Sequence, residues 1–168
     1  DVLQALEGTY RENFERALAG LVSKGLTAVF GEPMELRIEN RIFRDVLSTD
    51  LSLVIGTGST AIETKVLGAS GGSVVNVLCL LLRVLLVTSA RPALRPLLLL
   101  DEPFPFADEY SQPERLGSLL RELADRLGVQ FLVVSHEPAL VEAADMAYEI
   151  TRKGSAATVK QVKGAEQR

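Results

Sequence analysis

From Val2 to Leu21, apolar residues fall at Leu3, Leu6, Tyr10, Phe14, Ala17, Leu18 and Leu21. Steps of mostly three and four residues line these positions up on one stripe, so an amphipathic helix is predicted here. It opens with neither a cap nor an initiator Met, which predicts a piece of a longer protein. The period then changes. "MELRIE" (Met34 to Glu39) alternates apolar and polar, and "LSLVI" (Leu51 to Ile55) and "TAIETKV" (Thr60 to Val66) also read as strands. "GTGS" (Gly56 to Ser59) joins the last two as a hairpin.

The period changes again after Ser70-Gly71-Gly72-Ser73, a turn with almost no side-chain bulk. Val74 to Val87 is apolar nearly throughout. It contains Asn76 and Arg83 and is shorter than the about 20 residues that span a bilayer, so a buried helix is predicted. After the loop "TSARPALRP", four leucines run into Asp101, Glu102 and Pro103. "VQFLVVSHEP" ends a second apolar run at His136. Short apolar runs of this kind predict parallel strands buried on both faces. Between them "PERLGSLLRELADRL" (Pro113 to Leu127) predicts a helix that Gly128 ends. A short helix from Pro138 to Asp145, a strand near "AYEIT", a turn at Lys153-Gly154-Ser155 and a strand "ATVKQV" follow. The alternation predicts an α/β fold with a parallel sheet flanked by helices.

The chain has 168 residues, 47% apolar and 24% charged, which fits one globular domain or part of one. Its net charge of −4 does not mark a general nucleic-acid binder. Arg152, Lys153, Lys160 and Lys163 cluster near the C-terminus and read as the solvated face of a terminal hairpin. The single cysteine, Cys79, forms no internal disulfide and is predicted to pack as a small hydrophobe, in keeping with a reducing compartment. One histidine and one cysteine do not make a zinc site.

Candidate chemistry gathers at the strand ends. In parallel sheets ligands sit beyond the carboxyl ends of the strands. Asp101 and Glu102 take that position on one strand, Ser135 and His136 on the other. Adjacent carboxylates suit phosphoryl chemistry, one holding Mg²⁺ and the other polarising a water. A neighbouring histidine could reach the transferred phosphate. The glycine turn has outward N–H groups at a helix start and no Cβ in the way, as a phosphate requires. Taken singly, each feature also has a bland reading, as a solvated turn, a structural histidine or a plain connection.

Four stretches in this order resemble the ABC-type ATPases. "GASGGS" is similar to their signature motif, "LLLLDEP" to Walker B, "PFADE" to the D-loop and "VVSHEP" to the H-loop, together covering Lys65 to Pro138. The stretch from Ser70 to Asp101 is longer than transporters usually have. A β-rich segment before the signature, entered from an amphipathic helix, resembles the C-terminal half of heads in the SMC, RecN and SbcC group. "DEP" leans toward the double-strand-break-repair ATPase that partners a nuclease.

That resemblance implies two parts: a coiled-coil stump over residues 1–24, and the C-terminal lobe of an ABC ATPase head over 25–168 with a β-rich segment before the signature. It implies ATP and Mg²⁺, with Asp101 on the metal, Glu102 as catalytic base and His136 on the γ-phosphate. Asp108 would act across a homodimer of heads, while Ser70, Gly71, Gly72 and Ser73 would receive nucleotide held by the opposite subunit. The sequence departs from the motif at Ala69, where the family prefers Leu, and at Ser73, where it prefers Gln or Glu. Contact with DNA, a nuclease subunit and a cytoplasmic or nucleoid-associated location, with no membrane, follow from the same resemblance.

G-x-x-x-x-G-K-[ST] occurs nowhere in the chain, and "GTGST" at Gly56 lacks the lysine. A separate N-terminal lobe carrying Walker A is therefore expected, with an incomplete sheet in this one. Two alternatives to a repair ATPase are an SMC-like tether with slow turnover and a fragment of a transporter ATPase.

Overall fold

The computed structural model describes residues 2–43, 46–66, 72–104 and 113–164. Helix α1 runs from Val2 to Phe30, nine residues beyond the expected end at Leu21. The extension follows from packing. Along Tyr10, Phe14 and Ala17 the apolar stripe faces solvent, Tyr10 being 78% exposed, whereas Val22, Leu26 and Val29 are completely buried. The expected boundary at residue 24 falls inside this one helix. Gly31 stops it, with a φ of 74° and its N–H donating to Thr27 O at 2.9 Å, a left-handed cap that glycine adopts without a Cβ clash.

Strands β1 (Met34–Phe43), β2 (Val46–Ile55) and β3 (Ile62–Lys65) form an antiparallel sheet in that order. β1 and β2 are longer than the sequence predicted. Ser48, Thr49 and Asp50 lie before the predicted strand, yet they pair opposite Arg41, Asn40 and Glu39. Thr49 Oγ1 donates to Asn40 Oδ1 at 2.8 Å, and Arg41 pairs with Asp50 at 3.8 Å. Such cross-strand pairs stabilise a solvated sheet face that has no alternation to reveal it. The expected hairpin between β2 and β3 is present, with a short 3₁₀ turn at Gly58–Thr60.

Helix α1 covers the outer edge of β1 through hydroxyls one turn apart. Ser23 Oγ accepts from Leu36 N at 2.8 Å, and Thr27 Oγ1 accepts from Met34 N at 3.0 Å. These bonds satisfy edge N–H groups that would otherwise invite another strand.

Helix α2 (Gly72–Ser89) is the apolar helix. By length and composition it could cross a membrane, but Val74, Val77, Leu78, Leu80, Leu81 and Val84 are buried in the core. Its opposite face carries Cys79, Arg83 and Leu86, all exposed. Cys79 is thus a solvent-facing thiol rather than the packed hydrophobe predicted, because its helix turns only one face inward. α2 crosses α1 closely: a Cβ on Gly25 would come within 2.6 Å of Leu81 Cδ1.

Strands β4 (Leu97–Asp101) and β5 (Gln130–Val134) pair in parallel, with Asp101 opposite Val134. Helix α3 (Pro113–Leu127) connects them and buries Leu116, Leu119, Leu120 and Leu123. Gly128 ends it, as expected, with a φ of 63°. Burial on both faces of these strands is not observed. Leu98, Leu100, Phe131 and Val133 pack inward, but Leu99 is 68% exposed and Leu97, Leu132 and Val134 face solvent with it. The apolar runs fit a two-sided environment, and among the described residues only one side is covered. Helix α4 (Pro138–Ala143) follows, two residues shorter than predicted. The antiparallel hairpin β6 (Ala147–Lys153) and β7 (Ala156–Lys163) completes the fold. Among the described residues β6 pairs with β7 and not with β5, so the parallel sheet has two strands.

Candidate active site

The two parallel strands bring three expected residues to one edge. Asp101 is the last residue of β4, with its side chain exposed at the carboxyl end of the sheet. Glu102 extends the ladder by one rung, its N–H donating to Val134 O at 2.9 Å. The chain then turns sharply: Glu102 has a φ of 41°, and among the described residues it is the one non-glycine in the left-handed region. Such a backbone costs on the order of 1 kcal/mol or more and persists only where its surroundings impose it, which is common at functional sites. Glutamate has no local preference for this geometry, so nothing in the sequence announces it.

The turn aims the Glu102 carboxylate at the end of β5. His136 Nδ1–H donates to Glu102 Oε2 at 3.1 Å, and Ser135 Oγ lies 3.5 Å from the same oxygen. Ser135 Oγ also accepts from Glu137 N at 3.2 Å, which fixes the turn from β5 into α4. The hydrogen bond to Glu102 and then its negative charge raise the His136 pKa above its ordinary 6.5, against some opposition from burial and with the smallest contribution from Glu137. Glu102 is 41% exposed and His136 73%, so both side chains are open to a ligand arriving from solvent.

Gly72 and Ser73 open helix α2, Gly72 exposed and Ser73 half-buried. Ser70 and Gly71 of the glycine turn, and Asp108, lie outside the described residues. The structure therefore unites Asp101, Glu102 and His136, while Gly72 and Ser73 belong to a separate element.

Two residues at this end of the molecule carry no motif. Arg121 on α3 donates to Ala143 O through Nε at 3.1 Å and Nη2 at 2.6 Å, and pairs with Asp145 at 3.2 Å. Lys163 on β7 donates to Val141 O at 3.5 Å and to Glu142 O. Lys163 is thus engaged with α4 rather than simply solvated with the other hairpin charges. A cation in the last turn of a helix is a known partner for free carbonyls, but the sequence does not reveal which helix a distant lysine meets.

The residues at the sheet edge suit a phosphate–Mg²⁺ ligand. Mg²⁺ is held by one or two carboxylates together with phosphate oxygens and water, so a single exposed Asp101 at the strand end is a sufficient donor set.

No protein-family model matches the sequence, and no curated protein matches it. Solved structures do match. One comes from work on ATP-driven dimerization and DNA-stimulated activation of SMC ATPases, with TM-score 0.65 and 18% identity over 93% of this chain and 89% of that one. A second is an SmcHead bound to the C-winged helix domain of ScpA, with TM-score 0.65 and 17% identity over 89% of this chain. A third is the SMC head domain from Thermotoga maritima, with TM-score 0.61 and 22% identity over 90% of this chain. The chain spans 43% of the second structure and 52% of the third. At these identities the likeness is one of fold. The chain has the α/β fold of the SMC head domains it matches.

Proposed function

We propose that this chain is the C-terminal half of an ATP-hydrolysing, ATP-dimerised head of a DNA-repair or recombination ATPase. The observation that carries the reading is the Glu102–His136 pair: a carboxylate in a strained backbone at the end of one parallel strand, held against a histidine at the end of its neighbour. Glu102 serves as the base that orients and deprotonates the attacking water. His136 reaches the γ-phosphate, and Asp101 would hold Mg²⁺, which when bound would neutralise charge on the phosphates. In the structure Glu102 Oε2 accepts from His136, which holds the carboxylate in place at the strand end. Ser70, Gly71, Gly72 and Ser73 receive the phosphate of nucleotide held by a second head, with Asp108 acting across that dimer.

Walker A is supplied by a separate N-terminal lobe. The exposed apolar face of β4 and β5 supports this, because parallel sheets are stable with both faces covered. Burying Leu97, Leu99, Leu132 and Val134 would stabilise the assembly by on the order of 5–10 kcal/mol before opposing costs. The exposed stripe of α1 at Tyr10 and Phe14 supports a coiled-coil partner for the stump helix. DNA, a nuclease subunit and a cytoplasmic or nucleoid-associated location belong to the same reading.

A second reading, an SMC-like tether with slow turnover, is favoured by the fold matches, which are SMC heads. The Glu102→Gln form of the head completed with its Walker A lobe tests both. Light scattering should show an ATP-dependent dimer. Hydrolysis should fall by roughly 10²-fold or more, the usual contribution of a general base. Wild-type turnover that is already slow and indifferent to DNA would favour the tether. A variant that neither dimerises with ATP nor loses activity would remove Glu102 from the role.

A further inference from the structure

Helix α4 is six residues long and begins two residues after His136. At about 1.5 Å per residue it spans roughly 9 Å, so its far end is one short lever away from the histidine. That far end is held from two directions. Arg121 grips Ala143 O through both Nε and Nη2, and Lys163 donates to Val141 O and Glu142 O. The three carbonyls of the last turn therefore all meet a cation, one from α3 and one from the end of β7. Between these grips the helix lies tight on α3: a Cβ on Gly117 would stand 2.7 Å from Ala143 Cβ and 3.2 Å from Ala139 O. Leu140 is buried beneath.

Capping alone does not explain this arrangement. Free C-terminal carbonyls on an exposed helix are satisfied by water. Two long cationic side chains lose rotamer freedom to be held on a single six-residue helix. Their combined effect is to fix the helix in position and orientation, and with it the Ser135-His136-Glu137 turn at its other end. The Ser135 Oγ bond to Glu137 N and the Leu140 N bond to Glu137 O, both 3.2 Å, carry that constraint back along the chain.

We propose that Arg121 and Lys163 are positioning residues for His136, clamping the carbonyl end of α4 so that the imidazole meets Glu102. Their importance for ATP chemistry rests on the function proposed above; the clamp itself rests on the hydrogen bonds. Because one of the two cations belongs to β7, a partner that shifts the β6–β7 hairpin would be felt at His136.

His136 is the only histidine in the chain, so its ring gives a single set of nitrogen-correlated NMR signals. The full chain with labelled histidine is compared at one fixed pH with Glu102→Ala, which removes the acceptor and sets the scale. Arg121→Gln and Lys163→Gln should each move the ring signals toward those of Glu102→Ala, and the double variant should cover most of that distance. Lys163→Arg, which keeps the charge and reach, should stay near wild type. Ring signals unmoved in both glutamine variants, or displaced equally by Lys163→Arg, would overturn the clamp. If Arg121→Gln loses its amide dispersion, the Lys163 pair of variants carries the same decision. No displacement in Glu102→Ala would overturn the Glu102–His136 contact itself and the clamp with it. In the completed head the glutamine variants should lower kcat while leaving KM for ATP unchanged. Ring signals that behave as expected in a head without any turnover would leave the clamp standing and reject the ATPase.

Discussion

His136 and Glu102 are exposed enough to be read in solution, and the pair makes a pH-dependent contribution of known sign. The folded-state pKa of His136 is raised, chiefly by the hydrogen bond to Glu102 and the charge behind it. Its stabilisation is therefore complete below the ordinary value of 6.5 and disappears as pH climbs through the higher folded value. Titration of the ring by NMR should give a midpoint above 6.5 that drops back toward 6.5 in Glu102→Gln. An unchanged midpoint in that variant would mean that the carboxylate is not the cause. At this scale the sequence was only partly informative. "DEP" and "SHEP" mark which residues reach the strand ends, because apolar runs ending in polar residues are visible in one dimension. The left-handed backbone at Glu102 is not visible, since it is imposed by the β5 edge and not by glutamate. Lys163 reads as a surface charge, and Arg121 carries no signal, because their partners are main-chain carbonyls distant in sequence.

Helix crossings decide how the elements fit, and two glycines in helices should respond to the same substitution with opposite signs. Gly20 on α1 has open space where a Cβ would stand, so Gly20→Ala should stabilise the chain by about 0.5–1 kcal/mol through helix propensity. Gly117 on α3 gains the same propensity, but the added methyl meets Ala143 Cβ and the Ala139 carbonyl, which cannot rotate away. Overpacking of about 1–3 kcal/mol then outweighs the gain, and Gly117→Ala should lower Tm. Thermal unfolding of the two variants side by side checks the pair, and a Tm rise at Gly117 would refute the close α3–α4 crossing. The elements themselves were largely legible. Period changes located α1, β1, β2, β3, α2 and α3, and Gly128 marked a helix end. The errors have a common source. Ser48-Thr49-Asp50 escape the strand reading because polar residues show no alternation there, and α1 runs on to Phe30 because its end is held by tertiary packing.

At the scale of the whole molecule, one sheet face is apolar and left open by the described residues. The sequence announced apolar strands at "LLLL" and "FLVV", but a run of leucines cannot say whether its second cover belongs to the same polypeptide. If the Walker A lobe docks there, Leu99→Asp and Leu132→Asp should abolish its binding. Because both side chains face solvent, circular dichroism of this chain alone should remain unchanged. Binding that survives both charges would place the lobe elsewhere. On the proposed reading, the absence of G-x-x-x-x-G-K-[ST] from this sequence calls for a catalytic site assembled from two pieces. ATP turnover should therefore be measured for this chain alone, for the Walker A lobe alone and for the two together, with Glu102→Gln beside the complete pair. A split head predicts hydrolysis only in the mixture, stimulated by DNA and lost in the variant. Turnover by this chain alone, or turnover in the mixture that is indifferent to Glu102→Gln, would contradict it.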